Sequence, residues 1–118
     1  MTRDNLYQYD GIIRLSHRVV VYVPSESNGN PIPDRDALVD HVLSTLSDLC
    51  GGATASDAVG YWMSPAGSLV KEPVTLAFAY CSDLEPVIDG LLQLALELKK
   101  RAGQESVAFE VDNELFMI

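Results

Sequence analysis

Residues 51–80, GGATASDAVGYWMSPAGSLVKEPVTLAFAY, constrain the fold more than any other stretch of the chain. They read as a Gly-Gly break, a strand, a five-residue turn over Ser64–Ser68 and a second strand that is apolar almost throughout. Helical patterns flank this hairpin on both sides. Ahead of it, Leu38, Val42, Leu46 and Leu49, with Val39 and Leu43, share one stripe and predict a helix from about Asp34 to Cys50. Behind it, Leu84, Val87, Ile88, Leu91, Leu92, Ala95 and Leu98 predict a buried stripe on a helix over about 83–102. An apolar strand precedes the first helix and an alternating one follows the second. The order is therefore β-α-β-β-α-β.

Local signals mark the boundaries. The run Val19–Val23 has no alternation, so a strand from about Ser16 to Val23 is covered on most of both faces and lies centrally. PSESNGNPIP, residues 24–33, holds three prolines and Asn28-Gly29, and reads as a loop long for a strand-to-helix connection. Asp34 and Asp36 suit the positive end of the helix dipole, and Gly51-Gly52 stop the helix. Asp36, Asp40, His41, Ser44, Ser47 and Asp48 are expected to face water. The strand from about Ala55 to Met63 is less apolar than its neighbours, as an edge strand is. In the strand from about Leu69 to Tyr80, Pro73 lacks a donor and predicts a bulge or an unpaired position. Ser82 and Glu85 have capping-box spacing at the start of the second helix, and Lys99, Lys100 and Arg101 compensate its C-terminal dipole. Gly90 in mid-helix implies a close approach to the sheet. Val107, Phe109 and Val111 alternate in a strand over about Glu105–Val111, Asp112-Asn113 is a candidate hairpin turn, and Leu115–Ile118 form a short terminal strand.

Two right-handed β-α-β crossovers give an α+β domain of the ferredoxin-like βαββαβ plait: an antiparallel sheet, two helices on one face and a short C-terminal hairpin strand. Residues 1–13 form a polar arm and residues 14–118 the single domain. This topology puts the first and third strands in the middle, and those are the two most apolar strands. Both their faces are apolar, yet helices cover one face only. The other, with Trp62, Tyr61, Tyr22 and Phe78 as candidates, is expected to mediate self-association as a homodimer.

Charge and cysteine usage exclude several functions. The net charge of −9, from 17 acidic and 8 basic side chains, argues against direct nucleic-acid binding. Cys50 and Cys81 are too few and too far apart in sequence for a zinc site or a CxxC pair, and are expected as buried, reduced thiols. His17 and His41 lack metal-ligand spacing, so no metal and no cofactor is expected. Residues 1–13 lack the apolar core of a signal peptide, and no apolar run is long enough to span a membrane, so the expected location is cytoplasmic.

GGAT (51–54), GYW (60–62), LVKEPVTLAFAY (69–80) and VAFEVDNELFMI (107–118) together resemble a family of small proteins of unknown function from phages, plasmids and prokaryotic genomes, related to the DUF3574-like ferredoxin-fold proteins. The resemblance implies the fold and no established activity. Acidity, small size and the family's genomic company favour a non-enzymatic interaction protein encoded on a phage or mobile element. It would bind a host protein with a basic surface through Asp36, Asp40 and Asp48, for instance as an anti-defence or anti-CRISPR inhibitor. The alternative is a small-ligand-binding protein or enzyme with a pocket between the sheet and the 24–33 loop, lined by His17, Tyr61, Trp62 and Glu72.

Overall fold

A computed structural model describes all 118 residues. In chain order the elements are α1 (Arg3–Leu6), β1 (His17–Pro24), β2 (Glu26–Ser27), β3 (Asn30–Pro31), α2 (Arg35–Cys50), β4 (Thr54–Met63), β5 (Leu69–Cys81), α3 (Glu85–Arg101), β6 (Ala108–Val111) and β7 (Glu114–Met117). Five strands form one antiparallel sheet in the order β4-β5-β1-β6-β7. The two apolar strands, β5 and β1, are adjacent and central, as the plait requires.

Alternation along β1 and β5 separates the two faces. Val19, Val21 and Val23 point one way with Thr75, Ala77, Ala79 and Cys81, and they pack under Leu38, Val42 and Leu46 of α2 and Val87, Leu91, Leu94, Ala95 and Leu98 of α3. Small residues at 77 and 79 let the helices sit close to the sheet. The other face carries Val20, Tyr22, Leu76 and Phe78, with no helix over it. Val20 is still only 1% exposed there, because its larger neighbours on the strands close around it.

Several local expectations are corrected. The Ser82–Glu85 capping box does not form: Asp83 Oδ1 instead accepts the Glu85 N–H at 3.2 Å, and Leu84 occupies the N-cap position. On α3, Leu94 is buried while Ile88 and Leu92 are exposed, so the helix is rotated from the expected stripe. Gly90 faces α2, not the sheet; a Cβ there would meet Leu49 Cδ2 at 2.5 Å. His41 is half-buried, its Nε2 2.8 Å from Glu97 of α3 and off the line of a hydrogen bond. The last β-α-β strand is shorter than its alternation, starting at Ala108, although Val107 and Ile118 exchange both backbone hydrogen bonds at 3.0 Å. The 24–33 stretch is not an irregular loop. β2 and β3 form a miniature hairpin around Asn28-Gly29, both at positive φ as a type I′ turn needs, and Ile32 is buried.

Pro73 makes no bulge in the β4 ladder, which runs through Val59↔Pro73 without a break. The unpaired position lies on the other side: the β1 ladder stops at Pro24↔Val74, one residue short of the proline. Beyond that point β4 and β5 pair only with each other, out to Met63↔Leu69. This two-stranded extension carries Tyr61, Trp62, Met63 and Leu69, all exposed. At the opposite edge, Asp112 and Asn113 form the β6–β7 turn, both at positive φ. No helix is long and apolar enough to cross a membrane.

Candidate functional site

Where β1 ends, two backbone donors lose their strand partner. Had the ladder continued, Ser25 and Glu26 would lie opposite Pro73 and Glu72. Instead the Glu72 side chain takes over: its Oε1 accepts the N–H of Ser25 at 3.4 Å and of Glu26 at 3.3 Å. Its other oxygen, Oε2, makes no hydrogen bond within the chain. Glu72 therefore bridges the root of the β4–β5 extension and the 24–33 segment, with one acceptor left for something else.

That segment is fastened on further sides. Gln104 Nε2 donates to Glu26 O at 2.8 Å, and Ser27 Oγ donates to Gly103 O at 3.0 Å. From the helix side, Arg35 Nε donates to Pro24 O at 3.1 Å, and its Nη2 to Val23 O at 3.3 Å and Thr75 Oγ1 at 2.7 Å. The 24–33 segment is thus a docked wall rather than a free flap.

The four residues expected to line the ligand site divide. Glu72 pairs across from Gly60 and Trp62 from Val70, so Trp62 and Glu72 share the helix-free face. Tyr61 pairs across from Lys71 on the opposite face, where Lys71 Nζ stands 5.9 Å from the centre of its ring. Tyr61 is therefore also absent from the free face it was expected to join. His17 is opposite Cys81, nine residues along β5 from Glu72, which is about 30 Å in an extended strand. It belongs to another cluster: its Nδ1 lies 2.7 Å from Asp112 Oδ2, while Asp112 Oδ1 accepts the Arg18 N–H at 2.9 Å. Those two bonds, His17's the stronger, hold the Asp112 carboxyl below its ordinary range. The strand period separates Tyr61 from Trp62, and strand length separates His17 from Glu72.

Tyr22 and Phe78 were expected on the free face, but their polar partners were not, and Arg35 was missed altogether. Tyr22 donates its hydroxyl to Glu110 Oε2 at 2.5 Å on the free face, and that carboxylate, with burial, raises the Tyr22 phenol above its usual pKa. Arg18 lies 4.8 Å over Phe78. Arg35 had no pattern to mark it. Cys50 and Cys81, remote in sequence, prove to be neighbours, and burial first and the second thiol next push Cys50 up to about 11. Both are thus held as protonated thiols, poor as nucleophiles or ligands. No three His, Cys, Asp or Glu side chains are grouped to hold a metal ion. A cleft of about 400 Å³ opens at the far end of β5, lined by Leu15, Gly51, Gly52, Thr54, Phe78 and Tyr80 among others. Asp36, Asp40 and Asp48 are exposed on α2, and none of them bonds to these groups.

No protein-family model and no curated protein matches the chain. Solved structures do. A phage SAM lyase in complex with S-methyl-5′-thioadenosine superimposes with a TM-score of 0.71 at 17% identity, over 91% of this chain and 94% of that one. A phage SAM lyase in the apo state gives a TM-score of 0.69 at 18% identity, over 90% and 93%. What is shared at this identity is the fold. These neighbours overturn the expectation of a non-enzymatic interaction protein, and with it the protein-binding, anti-CRISPR and inhibitor readings. A fold of the same size and extent houses a small-molecule enzyme, and the alternative of a small-ligand binder or enzyme fits better.

Proposed function

We propose that this chain is a phage-type enzyme acting on S-adenosylmethionine, and that it binds the adenosyl part of its substrate on the helix-free sheet face beside Glu72. The observation that carries the reading is the Glu72 carboxylate, pinned through one oxygen by two backbone donors, with its other oxygen unbonded within the chain, on the same sheet face as Trp62. The fold shared with SAM lyases over nine-tenths of the chain supports it. The free Glu72 oxygen is an acceptor for ribose hydroxyls. Trp62, half exposed, offers a flat π-face for adenine, a contact worth about 1–3 kcal/mol per base where it has been measured. An acidic chain of net charge −9 also draws in a sulfonium cation. Breaking the carbon–sulfur bond to the amino-acid chain returns its electron pair to sulfur and leaves methylthioadenosine as a neutral thioether, while the released carbon completes its valence within the substrate, by bonding an oxygen of the chain's own carboxylate or by losing a β-proton to form an alkene. The task asked of these residues is to bind and orient the ligand.

The test is to incubate the protein with S-adenosylmethionine and quantify methylthioadenosine chromatographically against the spontaneous rate in buffer. Expected is formation above background, at least tenfold weaker in Glu72→Gln, with Trp62→Ala raising KM. Formation at the buffer rate, together with no heat of methylthioadenosine binding in calorimetry, would refute the reading.

A further inference from the structure

We propose that Arg35 is a positioning residue for Glu72, acting through the four-residue stretch Val23–Glu26 that lies between them. This rests on the reading of Glu72 as the carboxylate that faces the ligand. Glu72 reaches this stretch from the free face and holds the N–H groups of Ser25 and Glu26. Arg35, the first residue of α2, reaches it from the helix side and holds the carbonyls of Val23 and Pro24. One side chain takes consecutive acceptors and the other consecutive donors, so the backbone is clamped where the β1 ladder ends.

The clamp has its own support. Thr75, 3% exposed, accepts from Arg35 Nη2 at 2.7 Å and donates to Asp57 Oδ1 at 3.4 Å. The guanidinium is thereby fixed to β5, the strand that also bears Glu72. Arg35 thus ties the end of β1 to a point three residues from Glu72 on the same strand. A planar fork is needed to span two successive carbonyls and a hydroxyl, which a lysine ammonium does not match. If Arg35 releases the carbonyls, the two N–H groups shift, and the Glu72 oxygen that meets the ligand shifts with them.

Two readouts test this, on Arg35→Lys and on Thr75→Val, which removes one acceptor while keeping the side chain's shape. The first needs no activity: amide hydrogen exchange by NMR. Glu72→Ala, which removes the acceptor, should speed exchange at Ser25 and Glu26 at least tenfold. Arg35→Lys should do the same, Thr75→Val less so, with the central β1 and β5 amides unaffected. The second is kinetic. Arg35→Lys should lower kcat for S-adenosylmethionine at least tenfold, and the Arg35→Lys/Glu72→Gln double variant should be no slower than Glu72→Gln alone, because both act through one carboxylate. Unchanged exchange at Ser25 and Glu26 in Arg35→Lys overturns the proposal, as do losses that multiply in the double variant. A wild-type protein with no lyase activity sinks the functional reading instead, and the exchange measurement still decides whether Arg35 positions Glu72.

Discussion

Replacing Gly90 by alanine sets two physical effects against each other. In a helix interior, Gly→Ala gains about 1 kcal/mol in intrinsic propensity. Gly90, however, faces Leu49 of α2: an added Cβ would lie 2.5 Å from Cδ2, 2.9 Å from Cδ1 and 3.3 Å from Cγ. Carbon atoms settle at about 3.5–4.0 Å, so both methyls must retreat by roughly 1 Å. Because the contact meets the whole isobutyl fork, a simple rotation that frees one methyl drives the other inward. Leu49 packs against the buried core, which leaves little room to yield. Overpacking of this kind costs about 1–3 kcal/mol. The net expectation is a loss of about 1 kcal/mol, or about 4 °C in Tm for a domain of this size. Urea denaturation should show a lower midpoint with an unchanged slope. The decisive arm is the Leu49→Ala background, where the clashing atoms are gone. There Gly90→Ala should stabilise by about 1 kcal/mol. If Gly90→Ala destabilises equally in both backgrounds, Leu49 is not what the glycine accommodates, and the argument fails.

Asn113 has φ of 70° in the β6–β7 turn; glycine suits that region better, so Asn113→Gly should raise stability by about 0.5 kcal/mol, read as a small increase in Tm, and a decrease would contradict the turn assignment. Asp112 has a folded pKa depressed chiefly by His17 and then by the Arg18 N–H, so its contribution is present above the unfolded carboxyl range and is lost as pH falls from there through the lower folded value. Thermal melts of wild type and Asp112→Asn should therefore differ near neutrality and converge on acidification below about pH 4; a constant gap would remove the linkage. The apolar free face, with Val20, Leu76 and Phe78 under no helix, should bring copies of the chain together, and light scattering at micromolar concentration that shows monomer alone would count against it.

The order of the elements was legible because two facts were local. Val19–Val23 and Val74–Tyr80 are apolar without alternation, so both strands had to be central, and β-α-β handedness left one arrangement for the rest. What escaped depended on where elements stop or how they rotate. Eight apolar positions on α3 cover more than one face, and only the packed core selects Leu94 over Ile88 and Leu92. Ser82 has capping-box spacing, but the turn after Cys81 brings Asp83 to the helix start instead. Glu72 was legible as a polar residue near the 24–33 segment. Its bond to Ser25 and Glu26 was not, since it exists only because β1 stops short of Pro73. Arg35 and the Cys50–Cys81 contact are tertiary in origin and leave no trace in spacing.

The part of β4 and β5 that runs past the last β1 pair has a dynamic consequence. Two strands alone are marginal in water, so the outer ladder from Val59↔Pro73 to Met63↔Leu69 should open far more often than the five-stranded body. Glu72 sits at the root of this cantilever and Trp62 farther out, so the two groups offered to the ligand belong to regions of unequal rigidity. Bound ligand that stacks on Trp62 while bonded to Glu72 would stiffen the tip. Affinity should then decline on warming before the body melts, as the tip frays away from a root that still holds.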